Sequence, residues 1–209
     1  MATREIALNS GIPVSPGLLI HDAKEIEDFN LRFPVFLKPN YEGTAKGIGQ
    51  KSVANNLTEL TEIAEIIIRE YKQPVLVEEF LPGAEFTCAV MEHPLRCGPV
   101  LERGICATSG IGIHALEKDG IERDYRLLNT LTPEIEEKIH IWSLKICKAM
   151  NVRHFARLDF KCDSDGNPHF LEINPLPTFA IDSTYAIMAE LENQDYNKFL
   201  GGILRKIVL

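Results

Sequence analysis

The chain has 209 residues, 45% hydrophobic and 25% charged, with a net charge of −8. That is the composition of a folded globular protein, large enough for one domain or two small lobes, and it argues against disorder. The acidic balance excludes nucleic acid as a main partner, because affinity there rests on Lys and Arg neutralising phosphates. No apolar run approaches the ~20 residues that a membrane span needs, and the start, MATREIALNS, lacks the apolar stretch of a signal peptide. Five cysteines without a CxxC pair argue against a closed disulfide framework, so the reading is a cytoplasmic protein with no membrane partner.

Residues 2–9 suit a short helix stopped by Gly11 and Pro13, and Leu18-Leu19-Ile20 a brief strand. Asp22 reads as the cap of a helix reaching residue 30. A buried strand over 34–38 leads into the loop EGTAKG at 42–47, with a return strand over 48–53. Apolar residues at 57, 60, 63, 64, 67 and 68 recur at the helical period and predict a helix over 57–71, capped by Thr58. Residues 74–80 form another strand. The break Leu81-Pro82-Gly83-Ala84 divides the chain into a first lobe, 1–81, and a second, 82–209. Strands at 85–91 and 100–106 follow, then a glycine-rich segment at 109–112. A helix over 133–150 opens with Thr132 as cap and Pro133 in its first turn, and a terminal helix covers about 196–208.

Between these helices lies FARLDFKCDSDGNPHFLEIN, residues 155–174: two alternating runs around Asp165-Gly166, a dipeptide suited to a two-residue hairpin turn. With those two residues as the loop, Asp159 faces Glu172 and Arg157 faces Asn174 on one side of the hairpin. On the other side Leu158 faces Ile173 and Phe160 faces Leu171. Two opposed carboxylates, with Cβ atoms ~5 Å apart, repel unless a cation lies between them. Either Arg157 neutralises a solvent-exposed polar face, or Asp159, Glu172 and Asn174 hold a divalent ion. Their oxygen donors suit Mg²⁺, which completes its shell with water and nucleotide phosphates. On the metal reading, replacing either carboxylate removes a repulsion and leaves the metal-free protein as stable as before or slightly more so. The loop at 42–47 is open in the same way. It is an ordinary hairpin loop, or one in which Gly43 and Gly47 let backbone N–H groups approach a phosphate beside Lys38.

Arg157-x-Asp159 followed by Glu172-Ile173-Asn174, together with FPVFLKP at 33–39, Glu42-Gly43-Thr44, and VEEFLPGAEFT at 77–87, resembles the ATP-grasp superfamily, most closely the D-alanine:D-alanine ligases. The resemblance implies an α+β ATP-grasp fold, two lobes with the nucleotide between their antiparallel sheets. It implies a carboxylate-amine ligase that joins amino acids or peptides through an acylphosphate and releases ADP and phosphate, with ATP and Mg²⁺, or Mn²⁺ in its place, as cofactors. Carried over, Asp159, Glu172 and Asn174 hold the metal. Lys38 and the loop residues Glu42, Gly43 and Thr44 meet the phosphates; Glu78, Glu79 and Leu81 lie along the adenine. Glu85 takes the ribose hydroxyls, a role open to a carboxylate that accepts from a diol. Arg157 stabilises the oxyanion of the tetrahedral intermediate. Ser183 binds the second substrate's carboxylate, or is a helix N-cap.

The chain departs from the family in three places. After Asn174 it reads Pro175-Leu176-Pro177-Thr178-Phe179 instead of a Ser-Pro-Gly-Met-like turn, which alters the acceptor pocket at Thr178. The family's tyrosine-rich lysine loop has no match in 109–124, where Lys118 is the one lysine. The family's N-terminal substrate domain has no counterpart, so a separate N-terminal domain or partner subunit is an expected partner beside the small amino acid or peptide. The alternative function is a truncated ATP-binding module or regulatory paralogue without ligase activity.

Overall fold

The structure is a computed structural model that describes residues 2–43, 45–91, 94–106, 108–112, 131–181 and 183–208. A first antiparallel sheet takes β1 (Gly17–Ile20), β2 (Val35–Pro39), β3 (Val53–Ala54) and β4 (Val75–Glu79) in the order β1-β4-β2-β3. Alternation along β2 buries Val35 and Leu37 against Leu60, Ala64 and Ile67 of α2 (Leu57–Tyr71). Phe36, Lys38 and Glu78 of β4 are thereby left on the opposite face, which lines a cleft.

A second antiparallel sheet has the order β6-β5-β7-β8, from β5 (Glu85–Met91), β6 (Arg96–Arg103), β7 (Phe155–Cys162) and β8 (Pro168–Asn174). Its apolar face carries Phe86, Cys88, Val90, Leu158, Phe160 and Phe170, packed by Ile139 and Ile146 of α3 (Pro133–Ala149). Ala7 of α1 (Ala2–Asn9) and Ile12 join this second core, although they precede the first sheet in the chain. α4 (Thr184–Leu191) and α5 (Tyr196–Val208) close the far end through Tyr185, Met188, Phe199 and Ile203 on Ala89 and Met91. The Tyr185 hydroxyl donates to the carbonyls of Val90 and Ala156, 3.0 Å each, which satisfies a phenol with no exposed surface.

Several expected elements differ. Residues 23–28 are 3₁₀ rather than α, with the Asp22 side chain accepting from Lys24 N at 2.9 Å. The expected return strand shrinks to two residues because Ser52 Oγ accepts from Gly49 N at 3.0 Å and holds a 3₁₀ turn ahead of it. Helix α2 is capped by Asn56, whose side chain accepts from Glu59 N at 3.0 Å, not by Thr58. β6 begins at Arg96, four residues before the expected position 100, since a bulge against β5 between Cys88 and Val90 accommodates Pro99.

Candidate functional site

The hairpin of β7 and β8 sets the floor of the cleft. Asp159 pairs with Glu172, Arg157 with Asn174 and Leu158 with Ile173, as the alternation predicts. Beyond Asp159 the register slips: Phe160 pairs with Phe170 rather than Leu171, so Leu171 is a bulge. The cause is the turn, which is a five-residue loop and not the two-residue Asp165-Gly166 turn. Asp163 Oδ1 accepts from Asp165 N at 2.9 Å and from Asn167 N at 2.8 Å, and Gly166 sits at φ +81°. The bulge turns Leu171 toward the cleft beside Glu172.

Arg157 stands between the two carboxylates, its Nη2 2.7 Å from Asp159 Oδ2 and 3.7 Å from Glu172 Oε1. Asp159 also accepts from Thr87 Oγ1 at 2.6 Å. Burial alone would raise Asp159, yet Arg157, Arg103 and these hydrogen bonds hold its carboxyl down at about 2. Glu172 moves the other way, raised first by the loss of bulk water around its carboxyl and then by the charge of Asp159. The pair is therefore unequal: Arg157 lies closer to Asp159, and Lys38 and Arg157 offset the charge of Glu172 only in part. Asn174 Oδ1 accepts from Leu176 N at 3.0 Å. Among the described residues no three His, Cys, Asp or Glu side chains converge on one point. The donor set is two carboxylates and an amide, all oxygen donors, which fits a hard divalent cation.

The first sheet contributes a second charged group. Lys38 Nζ is 2.9 Å from Glu78 Oε2, and Glu78 also binds Arg4, whose guanidinium reaches the Ser15 carbonyl. Burial favours neutral Lys38, but Glu78 and Glu172 together keep it charged with a raised pKa. Glu78, pushed up by burial, is held low overall by Lys38 and Arg4. Both sheets line one cleft, with Phe36, Phe80, Ile111 and Leu171 as apolar walls and Lys38, Glu78, Glu79, Leu81, Glu85, Asp159 and Glu172 among its lining residues. Glu79 turns its carboxylate outward to Arg32, 2.7 Å away, and its amide and that of Phe80 donate to the Pro16 and Pro34 carbonyls. The main chain of Leu81 makes no hydrogen bond to any described residue.

Other candidate residues lie outside the cleft lining. Glu42 is engaged by Lys46 Nζ and Gln73 Nε2, 2.9 Å each, and anchors the 42–47 loop to the end of α2. Gly43 has ordinary backbone and open space around it; Gly47 is at φ +82° against Pro39 and Tyr71. Thr44 and Lys118 lie outside the described residues. Ser183 is the N-cap of α4 by position, but its hydroxyl makes no capping bond and is buried with no hydrogen-bond partner among the described residues. Thr178 is exposed, its Oγ1 accepting from Ala180 N at 3.2 Å.

Two residues escaped the sequence reading. Arg4 gave no signal, since its partners are 11 and 74 positions away. Lys161 did give one: it lies two positions beyond Asp159 on an alternating strand and so shares its face. It lines the cleft, 6% exposed, with Nζ 3.5 Å from Glu85 Oε2 and a pKa lowered by burial against the pull of Glu85.

The family model described as D-ala D-ala ligase C-terminus matches residues 10–205. A D-alanine–D-alanine ligase of Aquifex aeolicus is 28% identical over 173 residues, 83% of this chain and 56% of that protein. The protein y4sG of Sinorhizobium fredii is 26% identical over 97% of this chain and 60% of its own length. The chain thus spans under two thirds of these relatives. Among solved structures, a D-alanine–D-alanine ligase from Bacillus anthracis complexed with ATP shares the fold, with a TM-score of 0.72 at 21% identity over 98% of this chain and 63% of that one.

Proposed function

The chain belongs to the D-alanine–D-alanine ligase C-terminal family and has its ATP-grasp fold, and from that membership we propose that the cleft binds ATP with Mg²⁺ and that the protein is a carboxylate-amine ligase. The observation that carries the reading is the meeting of two charged groups in one cleft: Lys38 with Glu78 from the first lobe, the one ending near Leu81, and Asp159 with Glu172 from the second.

Lys38 supplies a point charge to the phosphates, and the unpaired main chain of Leu81 offers one donor and one acceptor to the adenine edge. Glu85 accepts from the ribose. Asp159, Glu172 and Asn174 would hold Mg²⁺, which would supply positive charge against the charge developing on the transferred phosphoryl group. One substrate carboxylate takes the γ-phosphoryl to give an acylphosphate and ADP. An amine then adds to its carbonyl, Arg157 stabilises the oxyanion, and collapse expels phosphate and leaves an amide. In this reading Ser183 binds the second substrate's carboxylate. Thr178, in place of a glycine, reshapes the acceptor side.

The first substrate's site is proposed to come from a separate N-terminal domain or partner subunit. The test is calorimetry with Mg²⁺·ATP followed by ADP release across a panel of amino acids and dipeptides, with and without such a domain. The expected outcome is Mg²⁺-dependent binding and acceptor-dependent ADP release. Binding without release under every condition would leave an ATP-binding module, and absence of binding would reject the site.

A further inference from the structure

Arg157, Asp159 and Lys161 follow one another at every second position of β7, spaced ~6–7 Å along the strand, and share the cleft face. The first two have roles above; Lys161 has none. Its row crosses the sheet as Arg103, Glu85 and Lys161, the central carboxylate paired in register with both cations. These residues are 7%, 4% and 6% exposed. Among the described residues neither Lys161 Nζ nor Arg103 Nε makes a hydrogen bond of good geometry. The nearest acceptor is the Glu85 carboxylate, 3.5 Å away, which leaves a buried ammonium with three donors under-used unless a further acceptor reaches it. Lys161 and Glu85 both line the cleft, beside apolar Phe80 and Leu171, so a ligand in the cleft can supply that acceptor.

We infer that Lys161 is a specificity-determining residue for the nucleotide, donating from Nζ to a ribose hydroxyl oxygen next to the hydroxyl hydrogen that Glu85 accepts. A vicinal diol presents acceptor oxygens as well as donor hydrogens. An ammonium paired with a carboxylate matches both, whereas a carboxylate alone reads only the hydrogens. This rests on the ATP-binding reading and adds to it the group that tells ribose from deoxyribose.

Calorimetric titration of Mg²⁺ complexes of ATP, 2′-deoxy-ATP, 3′-deoxy-ATP and ITP into the wild type, Lys161→Met and Lys161→Gln tests it, each variant first checked by its melting transition. The wild type should favour ATP over at least one deoxy analogue by on the order of tenfold, the worth of one charge-assisted hydrogen bond. Lys161→Met should lower ATP affinity to that of the analogue, so that the ratio collapses toward one while the ATP-to-ITP ratio stays fixed. Lys161→Gln, which keeps a donor, should fall between. An unchanged ribose ratio in Lys161→Met overturns the assignment, as does a change confined to the ITP ratio, which would place Lys161 at the base. A wild type that binds no nucleotide defeats the ATP reading itself, and is seen before any variant is compared.

Discussion

Asp159→Asn and Glu172→Gln should have opposite effects on the metal-free protein. Repulsion across the hairpin alone makes both substitutions neutral or mildly stabilising, but the structure divides the pair. Asp159 is 3% exposed and bonded to Arg157 and Thr87, with its carboxyl lowered from 3.8 to about 2. A drop of that size, at ~1.4 kcal/mol per pKa unit, is worth about 2 kcal/mol at neutral pH. Since the folded value is depressed, this stability is present above the unfolded value of 3.8 and lost as the pH falls toward 2. Glu172 is raised, so its charge costs stability once the pH climbs past 4.5 and through its folded value. Its side chain is 55% exposed, and solvent screening keeps that cost below ~1 kcal/mol. In EDTA at pH 7, Asp159→Asn should lower the melting temperature by roughly 5 °C for a chain of this size. Glu172→Gln should leave it level or raise it. At pH 3 the Glu172→Gln difference should vanish. With Mg²⁺ and a non-hydrolysable ATP analogue, the wild type should gain stability by mass action and both variants should lose that gain. Equal melting shifts for the two variants, or a stable Asp159→Asn, would refute the division of charge argued here.

Lys38→Ala should weaken Mg²⁺·ATP binding by about 1–3 kcal/mol in calorimetry, the cost of one charge-assisted contact; unchanged binding would remove Lys38 from the phosphate site. Gly47→Ala should cost about 1–3 kcal/mol in urea unfolding, because the position is at φ +82° and a Cβ would lie 2.8 Å from Pro39 Cδ. Gly43→Ala should leave stability unchanged, having nothing within 4 Å, and weaken nucleotide binding if the loop backbone closes on phosphate. Tyr185→Phe should cost about 1–3 kcal/mol in the same assay, since two buried carbonyls lose their shared donor.

The features legible in the sequence were those fixed by local periodicity. A strand's side chains alternate with a period of two, so the apolar residues of β7 and β8 had to share one face, and Asp159 and Glu172 were forced opposite one another on the other. Helix α2 declared itself by its apolar stripe and α3 by Thr132 and Pro133. The slip at Leu171 lay beyond this reasoning, because it depends on how Asp163 ties the hairpin loop, a choice between turn geometries of similar cost. α4 entered the reading only as the helix that Ser183 would cap, as a short helix apolar over most of its length shows little periodicity. The electrostatics of the cleft were settled only by the tertiary structure. Arg4 reaches Glu78 across 74 positions, Lys161 meets Glu85 from a neighbouring strand, and Arg157 leans toward Asp159 more than Glu172. Coulomb energy and desolvation depend on distance and burial in three dimensions, so how the two carboxylates share their cations is decided by packing between residues that the sequence holds far apart.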